Sequence, residues 1–223
     1  MKYYALIVGG GAGTRMGTDI PKQFLMLNEK PVLMHTIQAF YLSAYKPEII
    51  VVLNIDYHQY WEKLCAEHNF NIPHTLVKAG RQRFYSVKNG LTYIKGQAIV
   101  AIHDAVRPLV SDSLITECFR EAELKGNAVC SVQPSDSVRR QLGESTETIN
   151  RDEIFLVQTP QTFEIGIIKK AYKQPYRVLF TDDASVVEAS GVKINMIPGE
   201  KRNLKITFPE DVPIAELFLQ KRQ

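Results

Sequence analysis

The sequence predicts an α/β fold in which helices flank a mostly parallel β-sheet. Runs rich in aliphatic and β-branched residues have the length of buried strands, at 3–8, 49–53, 74–77, 98–103 and 128–132. The segments between them carry apolar residues at helical spacing, at 32–43, 57–68, 86–94 and 113–125. This alternation is typical of βαβ units with right-handed crossovers.

Length and composition favour one domain over residues 1–223. With 45% hydrophobic residues, the 223-residue chain can bury a sizeable core. The net charge of +3 is far below the excess that a nucleic-acid-binding face normally carries, so no nucleic-acid partner is expected. The basic residues are better interpreted as local phosphate contacts.

Cysteine spacing and hydropathy predict a cytoplasmic protein. Cys65, Cys118 and Cys130 form no Cys-x-x-Cys pair, and the sequence has no His-Glu-x-x-His motif, which disfavours structural zinc and a disulfide framework. The first predicted strand begins at residue 3 and no apolar run approaches 18 residues. We therefore expect no membrane partner and no signal peptide.

The most informative motif is the glycine-rich segment that follows the first strand, GGGAGTRMG at 9–17. Glycines let the backbone turn tightly and bring its N–H groups close to a bound anion. Arg15 and Lys22 add two cations seven residues apart, the second within Pro21-Lys22-Gln23. This combination indicates a site for the phosphates of a nucleoside triphosphate.

Two commoner glycine motifs fit less well. A Walker A loop needs Gly-Lys-Ser/Thr at the start of a helix, whereas Lys22 follows Pro21. A dinucleotide fingerprint begun at Gly11 needs a glycine where Met16 stands, and an acidic residue about 20 positions further on. An ordinary tight turn is the remaining alternative, and the two cations argue against it.

A second motif, HDAVRP at 103–108, follows the fourth strand. In open α/β sheets ligands bind beyond the carboxyl ends of the strands. We therefore expect this segment and the glycine-rich loop to face one crevice. His103 is interpreted as a histidine with satisfied hydrogen bonds at a strand end, not as a proton carrier.

The strand and helix pattern is interrupted after the fifth strand. Segments 137–141 and 148–151 flank a polar turn at 142–147, which predicts a hairpin arm within residues 134–157. Because an isolated hairpin is marginal in water, we expect this arm to pack against a second subunit. Beyond it the sequence predicts a strand at 192–197 and three helices, at 164–173, 183–190 and 210–221.

The last of these helices has a predicted start signal. Thr207 and Glu210 fit a capping box, with Pro209 in the first turn.

Six ordered motifs resemble those of the 2-C-methyl-D-erythritol 4-phosphate cytidylyltransferases over nearly the whole chain, at 10–16, 21–23, 103–108, 158–161, 181–184 and 203–207. The resemblance implies a Rossmann-like fold of the nucleotidyltransferase type with a protruding β-hairpin arm. It also implies transfer of the cytidylyl group of CTP to 2-C-methyl-D-erythritol 4-phosphate, with release of pyrophosphate, in non-mevalonate isoprenoid synthesis. A ribitol-5-phosphate cytidylyltransferase, which shares most of the motifs, and a non-catalytic nucleotide sensor are the alternatives.

The same resemblance implies the residues of the site. The expected catalytic side chains are Arg15, Lys22, Arg151 and Lys205. The expected CTP contacts are Gly10, Gly11, Ala12, Gly13, Thr14, Gly80, Ser86 and Asp104. The sugar-alcohol phosphate is expected to contact Arg107, Ser137, Thr159 and Thr181, with Arg151 and Ser137 reaching into the partner's site of a homodimer.

Charge and departures from the family pattern refine these expectations. Two anions must meet in the reaction, so cations such as Arg15 and Lys22 are needed where negative charge develops. Ala79 replaces a usual glycine and Arg81 occupies a varied position beside the expected cytosine contacts, while Ser137 stands where threonine is common.

Mg²⁺ is the expected cofactor, bridging the triphosphate oxygens. Hard oxygen ligands suit this ion, and it needs only one or two protein carboxylates. Asp104 is the best-placed carboxylate. It could instead hold a substrate hydroxyl or cap the following turn. No nucleophilic side chain is needed, because the substrate brings its own phosphate.

Overall fold

The computed structural model describes residues 1–11 and 20–220. Its strands, in chain order, are β1 (Lys2–Val8), β2 (Met26–Leu27), β3 (Lys30–Pro31), β4 (Glu48–Leu53), β5 (Thr75–Lys78), β6 (Ala98–Asp104), β7 (Asn127–Val132), β8 (Val138–Leu142), β9 (Ser145–Ile149), β10 (Leu156–Glu164) and β11 (Met196–Pro198). Its α-helices are α1 (Val32–Tyr41), α2 (His58–Glu67), α3 (Arg83–Leu91), α4 (Asp112–Lys125), α5 (Ile165–Ala171), α6 (Asp183–Glu188) and α7 (Asp211–Gln220).

A seven-stranded sheet forms the centre of the molecule, in the order β11-β7-β10-β6-β1-β4-β5. β10 runs antiparallel to both of its neighbours, and the other adjacent pairs are parallel. The predicted mostly parallel α/β sheet is confirmed. The five strands predicted between residues 3 and 132 are all present, with ends within one residue of the prediction.

The sheet buries apolar side chains on both faces. Along β1, Ala5 and Ile7 join the core beneath α1, α2 and α4, while Leu6 and Val8 join the core beneath α3, α5 and α6. This alternation follows from the two-residue repeat of a strand, and it explains why the strand sequence is apolar throughout. Among the described residues, no helix is long and apolar enough to cross a membrane.

Strand β10 was not predicted from the sequence. Its segment carries Pro160 among polar residues, a composition that argues against a central strand because proline cannot donate to the ladder. The structure accommodates the proline where the pairing with β7 shifts register, between Val157 and Gln161. Leu156 and Val157, assigned to the arm by the sequence, pair with β7 and belong to this strand.

The predicted hairpin is present as β8 and β9, which pair with each other in a separate sheet. Its turn is tighter than the predicted 142–147 segment, because Leu142 pairs directly with Ser145. Gly143 in this turn has φ +61°, which a glycine adopts without steric cost. Most side chains of the hairpin are exposed.

Several helix and strand ends differ from the prediction. α3 begins at Arg83, not at residue 86, because Ser86 lies inside its first turn and donates to Gln82 O (3.1 Å). β11 covers only the end of the predicted 192–197 strand. The predicted capping box before α7 is wrong: the Asp211 carboxylate, not Glu210, accepts from the backbone N–H groups of Thr207 and Phe208 (2.7 and 2.8 Å).

Substitution of Gly90 in α3 tests how tightly the helix packs on the sheet. A Cβ at this position would lie 2.3 Å from Leu6 Cδ1, so Gly90→Ala should destabilise the protein by about 1–3 kcal/mol despite the better helix propensity of alanine. Urea unfolding measures the change. Gly166→Ala in α5 is the matched control, since its Cβ would meet only the flexible Glu164 carboxylate at 3.2 Å. Equal effects of the two substitutions would contradict the packing argument.

Candidate active site

The carboxyl ends of β1, β4 and β6 meet at one edge of the sheet. Gly9 N donates to Val52 O (2.9 Å) and Ala105 N donates to Val8 O (3.0 Å), which places the start of the glycine-rich loop beside the segment that follows β6. The structure therefore brings the two predicted motifs together, as expected for an open α/β sheet.

Close backbone approach explains two of the glycines. A Cβ on Gly9 would lie 2.9 Å from Leu53 Cδ2 and 3.0 Å from Ala105 Cβ, and one on Gly10 would lie 2.7 Å from Ala79 Cβ. Any larger residue would push the loop away from the sheet edge.

A cavity of about 450 Å³ opens at this edge, and we call it the glycine cavity. Its charged lining residues are one acid, Asp104, and four cations, which are Lys22, Arg81, Arg83 and Lys205. The remaining described lining residues are Val8, Gly9, Gly10, Gly11, Gln23, Gly80, Gln82, Ser86 and Val106. An excess of positive charge over a glycine-lined floor suits a polyphosphate.

Lys22 enters this cavity from a short 3-10 helix, Lys22–Phe24. Phe24 packs in the core against α2 residues, and the Gln23 side-chain amide donates to Gly9 O (2.8 Å). These two contacts hold the helix against the glycine-rich loop. The Lys22 side chain is consequently almost buried, at 9% exposure.

Gly80 and Ser86 form another part of the cavity lining. The Ser86 hydroxyl accepts from Gly80 N (3.1 Å) and donates to Gln82 O (3.1 Å), so it closes the loop before α3. A Cβ on Gly80 would lie 2.3 Å from Tyr85 Cβ, which requires glycine at this position. Both predicted residues lie in the glycine cavity, and the hydroxyl organises the loop there.

Asp104, the last residue of β6, is surrounded by cations. Its Oδ2 lies 2.9 Å from Lys205 Nζ and 3.5 Å from Arg107 Nε, and its Oδ1 lies 3.6 Å from Arg83 Nε. Burial disfavours the carboxylate, but Arg83, Lys205 and Arg107 outweigh that effect and hold the pKa of Asp104 well below its usual range. The carboxylate is therefore ionised at neutral pH.

A second cavity of about 290 Å³ adjoins the first, and we call it the β10 cavity. It shares Arg83, Asp104 and Lys205 with the glycine cavity. Its other lining residues are Arg107, Val157, Gln158, Thr159, Gln161, Thr181 and Asp182. Three predicted substrate contacts, at 107, 159 and 181, thus lie together around a polar cavity.

Hydrogen bonds fix the walls of the β10 cavity. Arg107 Nη1 donates to Asn203 O (2.7 Å), and Asn203 Nδ2 donates to Thr159 O (2.8 Å). Ile206 N donates to Val106 O (2.9 Å), which brings Lys205 beside Asp104. The segment at 203–207, more than 95 residues from β6 in sequence, is thereby attached to the end of that strand.

The side chains of His103 on β6 and Thr159 on β10 form a hydrogen bond with each other. His103 Nε2 donates to Arg107 O (3.1 Å), so Nδ1 is the acceptor that faces the Thr159 hydroxyl (3.1 Å). The same hydroxyl accepts from Asp104 N (3.0 Å). Burial lowers the pKa of His103 to about 4, so this fully buried ring is neutral at pH 7. The interpretation of His103 as a satisfied histidine is confirmed.

Some predicted site residues lie elsewhere or outside the described residues. Ser137 and Arg151 are exposed, and neither lines the glycine cavity or the β10 cavity of the same chain. Arg151 Nη1 instead donates to Ser135 O (3.0 Å) at the base of the hairpin. Ala12, Gly13, Thr14 and Arg15 lie outside the described residues.

Arg83, Gln158 and Gln161 line the site but are not among the predicted site residues. Arg83 pairs with both Asp104 and Asp183, and it lines both cavities. Gln161 links β10 to the start of α6, where its side chain donates to Asp182 Oδ2 (2.9 Å) and accepts from Ala184 N (2.8 Å). The only sequence signal for Arg83 is its position shortly after Gly80.

The described residues do not build a metal site of their own. They include no group of three His, Cys, Asp or Glu side chains that could hold a metal ion. Asp104 would have to exchange its cation contacts for a metal ion, because both of its oxygens face Lys or Arg. A divalent cation is thus better accommodated as part of a metal–nucleotide substrate.

A cationic cavity at the carboxyl ends of parallel strands, joined to a second polar cavity, is typical of an open α/β protein that binds a phosphorylated ligand. The family model of 2-C-methyl-D-erythritol 4-phosphate cytidylyltransferase, IspD, matches residues 3–221. This chain belongs to that family.

Individual relatives agree with this assignment. The 2-C-methyl-D-erythritol 4-phosphate cytidylyltransferase of Phocaeicola vulgatus is 45% identical over 219 residues, which cover 98% of this chain and 100% of that protein. The crystal structure of 4-diphosphocytidyl-2C-methyl-D-erythritol synthase from Anaerococcus prevotii matches with a TM-score of 0.83 and 25% identity, covering 98% and 96% of the two chains. The corresponding cytidylyltransferase structure from Thermus thermophilus gives 0.77 and 27% identity, covering 99% and 100%.

The neutral His103 predicts a pH dependence of stability. Its pKa is about 4 in the folded protein and about 6.5 in the unfolded chain, so the unfolded chain takes up a proton that the native state excludes. As pH falls from about 6.5 to about 4, this residue should lower the free energy of unfolding by about 1 kcal/mol per pH unit. Urea titrations at several pH values should show a weaker acid dependence for His103→Gln. An identical dependence in the two proteins would contradict the assignment.

Proposed function

We propose that this protein transfers the cytidylyl group of CTP to 2-C-methyl-D-erythritol 4-phosphate, giving 4-diphosphocytidyl-2-C-methyl-D-erythritol and pyrophosphate, in non-mevalonate isoprenoid precursor synthesis. The observation that carries the proposal is the pair of adjoining cavities with Arg83, Asp104 and Lys205 in their common wall. One cavity has the glycine floor and cations that suit a triphosphate. The other offers the cations and hydroxyls that suit a phosphorylated polyol.

The reaction needs the two ligands side by side. A phosphate oxygen of the methylerythritol phosphate attacks the α-phosphorus of CTP, a new phosphorus–oxygen bond forms, and the bond to the β-phosphate breaks with its electron pair leaving on pyrophosphate. The nucleophile is already ionised near neutral pH. The protein therefore contributes position and charge, and no side chain has to form a covalent intermediate.

Cations that line the two cavities carry the electrostatic part of the proposal. Lys22, nearly buried in the glycine cavity, is assigned to the phosphates around the reacting phosphorus. Lys205, held 2.9 Å from Asp104, faces both cavities and is assigned to the charge shared between attacking and transferred groups. Arg15 is assigned to the triphosphate as well, on the glycine-rich motif alone.

The base of CTP is assigned to the wall formed by Gly80 and Ser86. Backbone carbonyls there can accept from the amino group of cytosine, whereas uracil presents an oxygen that they would repel. The Ser86 hydroxyl, which bridges Gly80 and Gln82, holds those carbonyls in place. Mg²⁺ would be held mainly by the triphosphate oxygens, and Asp104 is the carboxylate in the described lining of the glycine cavity that could assist.

A homodimer is part of the proposal. Ser137 precedes β8 and Arg151 follows β9, and both residues lie outside the glycine cavity and the β10 cavity of their own chain. We assign them to the second substrate's phosphate in the partner subunit, with the arm at 134–157 as the dimer contact. We also propose that the protein acts in the cytoplasm.

Pyrophosphate release tests the function directly. The purified protein is given CTP and Mg²⁺ with 2-C-methyl-D-erythritol 4-phosphate or ribitol 5-phosphate in separate reactions. Release with the first substrate alone is expected. Release with ribitol 5-phosphate alone would assign the protein to the ribitol-phosphate enzymes. CTP binding without release from either would favour the non-catalytic nucleotide sensor.

Lys22→Ala tests the charge argument. Loss of one cation that acts on the transition state should lower kcat by about 10²- to 10³-fold. Steady-state kinetics measures the loss, and Lys63→Ala is the matched control, since Lys63 is 70% exposed on α2 and pairs with Glu67. A loss of tenfold or less in Lys22→Ala would contradict the role.

Mixed dimers test whether sites are shared. Arg151→Ala and Lys22→Ala should each be nearly inactive, but a mixed dimer contains one site with both an intact Lys22 and an intact partner Arg151. After subunit exchange at equal amounts, about a quarter of the wild-type activity should return. A mixture that forms hybrid dimers, shown by differently tagged chains, yet regains no activity would contradict the shared site.

A further inference from the structure

Arg83 lines both cavities of the site but is not among the predicted site residues. It is the first residue of α3, and its side chain, 30% exposed, lies in the wall common to both cavities. Its Nε lies 3.6 Å from Asp104 Oδ1, and its Nη2 lies 2.7 Å from Asp183 Oδ2. One guanidinium thus contacts a carboxylate on β6 and a carboxylate on α6.

Asp183 lines neither cavity, but it directly follows Thr181 and Asp182, which line the β10 cavity. It is fully buried at the start of α6, and its second oxygen accepts from the Tyr172 hydroxyl (2.5 Å). The two residues before it are Asp182, which caps α6 by accepting from Ser185 N (2.9 Å), and Thr181, which lines the β10 cavity. The ion pair between Arg83 and Asp183 therefore helps to position Thr181 and Asp182 relative to Asp104, together with the hydrogen bonds from Gln161 at the start of α6.

The chemistry of arginine suits this bridging role. A guanidinium presents donors in a rigid plane and can engage two carboxylates at once, whereas an ammonium is a point charge. Burial lowers the pKa of Arg83, but Asp183 and Asp104 outweigh that effect and raise it above its ordinary value. Among the described residues, removing the guanidinium would leave the buried Asp183 carboxylate with only the Tyr172 hydroxyl, which is costly.

We propose that Arg83 is a positioning residue that aligns the second substrate's cavity with the nucleotide cavity, by holding Asp183, and through it the Thr181–Asp182 segment, against Asp104. This inference rests on the proposed function. It predicts that disturbing the pair displaces the methylerythritol phosphate and leaves CTP in place.

The test is a kinetic comparison of Arg83→Gln, Arg83→Lys and Asp183→Asn with the wild type. Arg83→Gln should lower kcat/KM for methylerythritol phosphate about 10²-fold, the loss expected from a small misplacement of a reacting group, while the KM for CTP changes less than about threefold. Arg83→Lys should be intermediate. Arg120→Gln on α4 is the matched control, because Arg120 also pairs with two carboxylates, Glu117 and Glu121, outside the site.

Asp183→Asn separates positioning from direct substrate contact. Its amide keeps the shape of the carboxylate and lies outside both cavities, so a raised KM for methylerythritol phosphate would support action through Asp183. The double variant Arg83→Gln/Asp183→Asn should be no worse than Arg83→Gln alone, since both changes break one connection. Thermal unfolding, measured in parallel, identifies a variant that has failed to fold. If Arg83→Gln fails to fold, the isosteric Asp183→Asn still tests the inference.

Two results would overturn the inference. Wild-type kinetics in Asp183→Asn, beside a large loss in Arg83→Gln, would mean that Arg83 acts on a substrate directly. Equal rises in KM for both substrates in Arg83→Gln would mean a general disruption. If the wild type and Arg120→Gln release no pyrophosphate at all, the proposed function fails and the inference falls with it, which distinguishes that outcome from failure of the inference alone.

Discussion

The site depends on the carboxylate of Asp104 and the cations gathered around it. Lys205, Arg107 and Arg83 come from three different parts of the chain, and each would be repelled by the others at this distance without the shared anion. Asp104 is in turn held by its place at the end of β6 and by the Thr159 hydroxyl on its backbone N–H. A single buried carboxylate thus holds three of the cations that line the two cavities.

A cluster of this kind is poorly explained as a stabilising device. Taking several charges out of water costs free energy that mutual attraction repays only with good geometry, and two of the three pairs lie at 3.5 and 3.6 Å. In the described lining of the glycine cavity, four cations face one acid. An anionic ligand would be attracted to this lining, so the arrangement suits binding better than folding.

The antiparallel strand β10 gives the site its second half. It inserts between β6 and β7, so Thr159 lies beside Asp104 and Gln161 reaches the start of α6. The chain leaves the sheet after β7, forms the exposed hairpin, and returns as this strand. One topological step therefore creates the β10 cavity beside the glycine cavity and places the hairpin where it can extend from the domain.

The sequence by itself determined the alternation of strands and helices and the glycine-rich loop, because these follow from local composition and spacing. It also identified Lys22, Asp104, Arg107, Thr159, Thr181 and Lys205 through their motifs, and the structure places all six around the two cavities. Only the tertiary structure makes β10 a strand, because its proline and polar residues resemble a loop until neighbouring strands supply the pairing. Arg83 was likewise invisible, since an arginine at a helix start acquires its role only when Asp104 and Asp183, 21 and 100 residues away, fold against it. Such contacts depend on distance in space, which local sequence patterns do not encode.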